Sequence, residues 1–329
     1  MSRRSFCGAA LSLAAPLLGN RRAQAQTLPE GWPSRPIRLI VPYAAGGGTD
    51  VLARAVADKA GQRLGTTIVV DNRPGGAGNL ATQLAADAAP DGYTLLVGNI
   101  GPIAVNPSLF RNLRPDPAQA LAAVTLLAAA PLLILVNPRL PVADLGELVA
   151  MARRRPGALN YGSAGNGSAN HLAGAYFALK AGIDIQHVPY RGAGPALNDL
   201  VSGTLQMMPA TVPSSIGLVR DGLVRALAVT SAARISILPH IPTVPEAGVP
   251  GYEMSAWYGI MAPAGVPRPI LDRLQREIAA SLQAPDIRER IQSEGAEPSG
   301  NTPEAFRDFA AAERRKWAEV VRDAQITVD

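Results

Sequence analysis

Two glycine-rich turns hold the residues whose types and spacing could do chemistry. The first runs from Tyr43 to Asp50 and the second from Asn160 to Ser168, and each is predicted to join a strand to a helix. Consecutive glycines let backbone N–H groups point into a cavity without obstruction by side chains. A helix N-terminus adds unpaired N–H donors and partial positive charge, which favour an anion. Two such turns that face each other across a cleft could hold both ends of a small dianion.

A plainer interpretation of both turns stays open. Glycine can be required there only for the backbone angles of a tight turn. Thr49 or Asp50 can cap a helix that begins near Val51, and Ser168 can cap the helix that follows the second turn.

Enzyme signatures are incomplete in this sequence. The dinucleotide pattern G-x-G-x-x-G/A can begin at Gly46 or Gly48, but neither frame is completed, and the Gly-Lys-Ser/Thr of a phosphate loop is absent. Tyr161 stands where a G-x-S-x-G nucleophile turn around Ser163 needs glycine. Three histidines with no pair at i and i+4 predict no metal site. An exported serine hydrolase that uses Ser163 and His171 remains the enzymatic alternative.

The elements around the turns alternate between strands and helices. Apolar runs predict strands at residues 36–42, 67–71, 93–98, 132–136, 159–161, 187–188, 205–208 and 224–230. Helical periodicity predicts helices from residue 51 and at 79–88, 142–155, 168–181, 195–202, 269–282 and 303–324, with a weak stretch at 100–130 and an extended segment at 252–261. This alternation favours an α/β fold with a parallel sheet between helices.

Residues 1–25 are interpreted as a signal peptide. Arg3 and Arg4 precede an apolar run that is shorter than the ~20 residues needed to cross a bilayer. Ala23-Gln24-Ala25 fits the cleavage rule, so we expect cleavage near Ala25. The paired arginines indicate the twin-arginine export route, with the general secretory route as the alternative. Cys7, the only cysteine, leaves with this peptide, so the exported protein is expected to lack disulfides.

Charge and composition exclude several classes of protein. Four of the 31 basic residues and none of the 26 acidic residues lie in residues 1–25, which leaves the rest of the chain close to neutral. A nucleic-acid-binding protein normally concentrates basic residues on one face, so that class is excluded. With 329 residues, 47% hydrophobic and 17% charged, the chain is long and apolar enough for two ordered domains.

Nine motifs, in order along nearly the whole exported chain, carry a resemblance to a known family. They are Trp32–Ile37, Val41–Asp50, Asp71–Gly78, Ala89–Leu95, Asn106–Leu109, Ser163–Ser168 with His171, His187–Gly192, Leu238–Gly248 and Ala262–Gly265. On these motifs the chain resembles the periplasmic receptors of tripartite tricarboxylate transporters, the Bug receptors.

The resemblance implies an α/β fold of two domains, like the type II periplasmic binding proteins (Venus flytrap), each domain a mainly parallel sheet flanked by helices. After the signal peptide at 1–25, the first domain is expected at 26–129 plus 252–329 and the second at 130–251. Chain crossings near 125–132 and 250–256 would then put both chain ends in the first domain.

The resemblance also implies a function. A periplasmic receptor of this type binds a small carboxylate, such as a dicarboxylate or tricarboxylate, an acidic amino acid or an aromatic acid. It works as a monomer, without a cofactor, a metal or catalysis, and passes the ligand to the permease subunits of the transporter. The ligand-binding residues expected on this basis are Tyr43, Ala45, Gly46, Gly47, Asp50 and Asn99 in the first domain and Ser163, Ala164, Gly165, Gly167, Ser168 and His171 in the second.

Two departures from the family pattern leave the ligand unassigned. Residues 120–124 read Ala-Leu-Ala-Ala-Val where the family often has an acidic and an aromatic residue before Pro-Val. Gln206 stands where the family usually has an acidic residue. A ligand-sensing subunit that reports to a signalling partner is the second alternative to a transport receptor.

Overall fold

The computed structural model describes residues 27–326, apart from residues 44, 46, 47, 111, 191, 294 and 325. The predicted signal peptide lies outside the described residues. Within the described part of the chain, no helix combines the length and the apolar character needed to cross a bilayer.

Ten strands form a mixed sheet within the described residues. In chain order they are β1 (Ile37–Val41), β2 (Ile68–Asn72), β3 (Thr94–Asn99), β4 (Leu121–Val136), β5 (Asn160–Ser163), β6 (Gln186–Pro189), β7 (Met207–Thr211), β8 (Arg225–Val229), β9 (Ser255–Pro263) and β10 (Glu297–Pro298). The strand order is β2-β1-β3-β9-β4-β7-β5-β6, and β8 and β10 also pair with β4. Neighbours are parallel within β2-β1-β3 and within β7-β5-β6, whereas β4 and β9 pair antiparallel with every neighbour.

Helices connect these strands and pack on the sheet. They are α1 (Gly48–Leu64), α2 (Asn79–Ala86), α3 (Asn106–Leu109), α4 (Pro117–Ala120), α5 (Leu145–Arg154), α6 (Ala169–Ala181), α7 (Ala193–Ser202), α8 (Val212–Arg220), α9 (Arg268–Ser281), α10 (Pro285–Ser293) and α11 (Pro303–Asp323). A π-helical turn at Ile100–Val105 leads from β3 into α3.

Strand β4 joins two lobes. It pairs with β9 from Leu121 to Pro131, with β7 from Leu132 onward and with β8 from Leu133 onward. We call the part around β1–β3, β9 and β10 the first lobe and the part around β5–β8 the second lobe. A second crossing is at Met254, just before β9, whose N–H donates to the carbonyl of the buried Thr230 at 2.9 Å; the Thr230 hydroxyl in turn accepts from the Leu132 N–H at 2.7 Å. Two chain segments therefore connect the lobes side by side.

The carboxyl ends of the parallel strands in both lobes point toward this junction. Asn99, at the end of β3, pairs with Tyr258 of β9, and Tyr258 pairs on its other side with Ala128 of β4. Thr211, at the end of β7, pairs with Leu132 of the same strand. Four residues of β4 span only about 13 Å. Because β1 runs parallel to β3 and β5 parallel to β7, the two glycine-rich turns follow strand ends on opposite sides of one junction.

The predicted α/β fold is confirmed, with corrections at particular elements. Helix α1 begins at Gly48 rather than near Val51, so Asp50 lies in its first turn and is not its cap. Ser168 does cap α6, because its hydroxyl accepts from the His171 N–H at 3.3 Å. The stretch with a weak signal, residues 100–130, contains the π-helical turn and the first part of β4.

Helix α6 approaches β5 closely at Gly174, which gives a first prediction. A Cβ added there would overlap the ring of the buried Tyr161, and that ring lies only 5.0 Å from the His187 ring. We expect Gly174→Ala to lower the free energy of unfolding by about 1–3 kcal/mol, as overpacking does. Gly217→Ala, in the exposed middle of α8 with nothing within 4 Å, is the control and should gain about 0.5–1 kcal/mol. Urea unfolding measures both, and equal effects would contradict the packing argument.

Candidate functional site

The first glycine-rich turn is closed by a side-chain network. Asn72, at the end of β2, donates from Nδ2 to the Tyr43 carbonyl at 3.0 Å and to Asp50 Oδ1 at 2.9 Å. Arg54 donates from Nε to Asp50 Oδ2 at 3.0 Å. The buried carboxylate of Asp50 therefore ties the turn to β2, and its charge is balanced by Arg54. Asp50 was expected to bind the ligand. These contacts instead indicate that it positions the first turn.

Tyr43 and Asn99 meet at the end of β3. The Tyr43 hydroxyl donates to Asn99 Oδ1 at 3.2 Å, and Asn99 is buried. Although 36% of the Tyr43 surface is exposed, burial at its hydroxyl raises the pKa of this phenol, an effect that the bond to Asn99 partly offsets. The phenol is therefore an uncharged group at the mouth of the turn. Ala45 is exposed beside it, and the predicted Gly46 and Gly47 lie outside the described residues.

The second glycine-rich turn uses several of its own amides to hold its shape. The Gly165 N–H donates to Ser163 Oγ at 3.0 Å, and the Gly167 N–H donates to His171 Nδ1 at 3.1 Å. The Ser168 N–H donates to the Gly165 carbonyl at 3.1 Å. Gly165 and Gly167 have φ of 124° and 74°, which favour glycine. The predicted residues Ser163, Gly165, Gly167, Ser168 and His171 thus come together in one preorganised turn.

Other amides of this turn are available to a ligand. Among the described residues, the N–H groups of Ala164, Asn166 and Ala169 make no hydrogen bond. Ala164 and Ala169 are half-buried and Asn166 is exposed, so a solute can reach this part of the chain. These donors stand at the N-terminus of α6, a helix of 13 residues. They form an anion-binding arrangement without a cationic side chain.

A pair of neutral histidines stands behind the second turn. The rings of His171 and His187 stack with their centroids 3.9 Å apart, and Ser163 Oγ lies 2.6 Å from His187 Nε2. Burial lowers the pKa of both imidazoles to about 4, and the neighbouring His187 contributes to the lowering at His171. At neutral pH both rings are therefore uncharged, and His171 can accept the Gly167 N–H.

The predicted pairing of Ser163 with His171 is wrong, because the hydroxyl lies against His187 instead. Ser163 is 0% exposed, so a substrate cannot approach its oxygen. No carboxylate is among the hydrogen-bond partners of His187 in the described part of the chain. A nucleophilic serine needs both access and an oriented base. This geometry therefore supports a structural part for Ser163.

The two lobes meet beside the second turn. A Cβ placed on Gly167 would lie 3.9 Å from Leu109 Cδ1 in α3 of the first lobe. Asn106, at the start of α3, donates to the Ala77 carbonyl at 3.0 Å, which ties α3 to the loop after β2. We call this boundary between the lobes, with the second turn on one side and α3 on the other, the crevice.

Comparisons with known proteins agree with this architecture. Residues 52–326 match the family model described as "Tripartite tricarboxylate transporter family receptor". The chain belongs to this family. It is 37% identical to protein BugT of Bordetella pertussis over 293 residues, which cover 89% of this chain and 90% of BugT. The resemblance predicted from the motifs is thereby confirmed.

Two solved structures show how far the likeness extends. The structure of Rpa4515 from Rhodopseudomonas palustris with adipate has 38% identity and a TM-score of 0.80, and covers 90% of this chain and 99% of that one. MatC from the same organism, with bound malate, has 33% identity and a TM-score of 0.77, and covers 88% and 100% of the two chains. The two-domain fold is thus shared, and the family is one of solute receptors rather than enzymes.

Several residues that build the site were not predicted from the sequence. Asn72 and His187 act on the turns through contacts between distant strands, for which the sequence carries no local signal. Asn166 and Ala169 carry donors that the turn does not use. For Ala169 a signal existed, since the first residue of any capped helix has an unpaired N–H.

Proposed function

We propose that this protein is a periplasmic receptor that binds a small carboxylate between its lobes and delivers it to the membrane subunits of a tripartite tricarboxylate transporter. The observation that carries the proposal is the set of unused N–H groups of Ala164, Asn166 and Ala169 at the start of α6, beside the crevice. Backbone donors at a helix N-terminus suit a carboxylate. The adipate and malate bound by two relatives belong to the same chemical class.

The proposal includes a contribution from each lobe. The Tyr43 hydroxyl and the N-terminus of α1 stand on the first-lobe side, where Arg54 balances the charge of Asp50 and so reduces repulsion of an anion. We infer that the predicted residues of both turns, apart from the positioning residues Asp50, Ser163 and His171, surround the ligand when the lobes close. A ligand that contacts both lobes only in the closed form shifts the population toward that form, which the permease would recognise.

The proposed boundaries of the lobes are those expected from the sequence, residues 26–129 plus 252–329 and residues 130–251. The exchange of partners along β4 between Pro131 and Leu132, and the Thr230–Met254 hydrogen bond, support them. Export to the periplasm after cleavage near Ala25 belongs to the same proposal. The proposal also includes that the protein binds its ligand as a monomer.

A panel of acids tests the proposal on the exported chain, residues 26–329. Adipate, malate, citrate, glutamate and benzoate are added in turn, and thermal unfolding is recorded. A ligand at 100 times its Kd stabilises the folded state by about 2.7 kcal/mol, which raises the melting temperature measurably. Adipamide, which has the length of adipate without its charges, is the matched control and should have no effect. If no acid of the panel raises the melting temperature, the carboxylate proposal is wrong.

A further inference from the structure

A second cavity lies in the first lobe, outside the crevice between the lobes. It has a volume of about 420 Å³, is lined by the start of β4, helix α4 and one face of α11, and is open to solvent along α11. Its floor contains the buried residues Ile103, Leu121 and Met261. Met261 pairs with Leu96, three residues before Asn99 on β3, so the floor is about 10 Å from the strand end at the crevice. Cavities of this size and apolar character bind small organic molecules.

The cavity exists because one face of α11 carries small residues. Ala310, Ala311 and Ala318 line it at helical spacing, between the arginines Arg307, Arg314 and Arg315 of the same face. An amphipathic helix usually covers such a position with larger apolar side chains. Here the alanines leave a hollow over the sheet, and the arginines are the charged part of its lining.

The three arginines are not equivalent. Arg314 makes a bidentate pair with Asp116 at 2.5 and 3.0 Å, and Asp116 also caps α4, so this pair fixes one wall. Among the residues that the structure describes, Arg307 pairs only with the adjacent, well-exposed Asp308, which is a weak interaction. Arg315 makes no ion pair within the described residues. Two guanidinium groups are therefore available beside an apolar hollow.

We propose that this cavity binds an amphipathic monocarboxylate, specifically a medium-chain alkyl carboxylate. The alkyl chain would cover Leu121 and Met261, and the carboxylate would pair with Arg315, with Arg307 as the second cation. Guanidinium and carboxylate groups match in geometry and charge, and each CH₂ group of the alkyl chain that leaves water for the apolar hollow adds to the affinity. The site is distinct from the carboxylate site proposed in the crevice, which uses backbone amides.

Calorimetric titration with octanoate tests this proposal on the exported chain. We expect one saturable site for octanoate and at least tenfold weaker binding of 1-octanol, which has the chain without the charge. Ala311→Phe fills the hollow and should weaken octanoate binding at least tenfold. Ala312→Phe, an equally exposed position of the same helix that does not line the cavity, is the matched control and should leave it unchanged.

Arg315→Gln separates the charge from the shape of the cavity. It should weaken octanoate binding at least tenfold and leave octanol binding unchanged. Because the substituted side chain is exposed, folding is preserved. Absence of saturable octanoate binding would overturn the proposal. Equal affinity for octanoate and octanol, or undiminished octanoate binding by Ala311→Phe, would overturn it as well.

Discussion

Gly167→Val is expected to weaken binding of the tightest acid of the panel at least a hundredfold. The glycine has φ 74°, where a β-branched residue is strained, and its added side chain would point toward Leu109 across the crevice. The substitution also disturbs the Gly167 N–H bond to His171, which holds the turn in shape. A turn that has lost its shape no longer directs its free amides at the ligand. If two of these amides lose their hydrogen bonds to the charged ligand, at about 1.5–3 kcal/mol each, the affinity falls a hundredfold or more.

Gly222→Val is the matched control for this experiment. Gly222 follows the C-terminal end of α8 and has a φ of 69°. A Cβ added to it would have no other atom within 4 Å. Both variants should lose a similar 1–2 kcal/mol of stability from backbone strain. Calorimetry should then find weakened binding in Gly167→Val alone. Undiminished affinity in Gly167→Val, or equal loss in both variants, would show that the second turn does not hold the ligand.

Acidification from pH 7 to pH 5 is expected to lower the free energy of unfolding by about 2 kcal/mol or more through the pair of His171 and His187. Burial lowers the pKa of both rings to about 4, whereas an imidazole in the unfolded chain titrates near 6.5. Between these values the unfolded chain binds protons that the folded chain does not. The stabilising contribution of the two neutral histidines to the free energy of unfolding is therefore complete above pH 6.5, and it is lost progressively as the pH falls toward 4.

The three histidines of the chain allow a controlled measurement of this effect. Urea unfolding at intervals from pH 4 to pH 7 should show a shallower pH dependence for His187→Asn and for His171→Asn than for the unmodified protein. His240→Asn, which replaces an exposed histidine outside the pair, should keep the original profile. An identical profile in all three variants would mean that the stacked pair is not the origin of the acid sensitivity.

Local signals explain the features that were predicted from the sequence. Ser168 follows a glycine-rich segment and precedes an apolar helical pattern, and it is indeed the cap of α6. The capping bond involves residues only three apart, so the sequence contains all the information it needs. The predicted end of this helix at residue 181 also has a local cause, because the next residue, Gly182, adopts the left-handed conformation.

Long-range pairing explains the features that were missed. Ser163 meets His187 because β5 and β6 pair in a register that sets Tyr161 beside His187. That register depends on the packing of the whole second lobe, and nothing near Ser163 specifies it. His171, at helical spacing from the turn, was the nearer candidate in sequence, yet its Nδ1 serves the Gly167 amide.

Strand β4 shows a further limit of local reasoning. Pro131 interrupts its apolar run and normally argues against the interior of a strand, because proline has no N–H to donate. In the structure Pro131 stands where β4 exchanges β9 for β7 and β8. A missing donor is tolerated at such an exchange, so the proline marks the junction of the lobes instead of ending the strand.

Hydrogen–deuterium exchange, compared with and without the tightest acid of the panel, tests most directly whether the backbone of both turns holds the ligand. We expect slower exchange of amides in Tyr43–Asp50 and in Ser163–Ala169, with both segments responding over the same range of ligand concentration. Protection confined to one turn, or to neither while the acid binds, would contradict it.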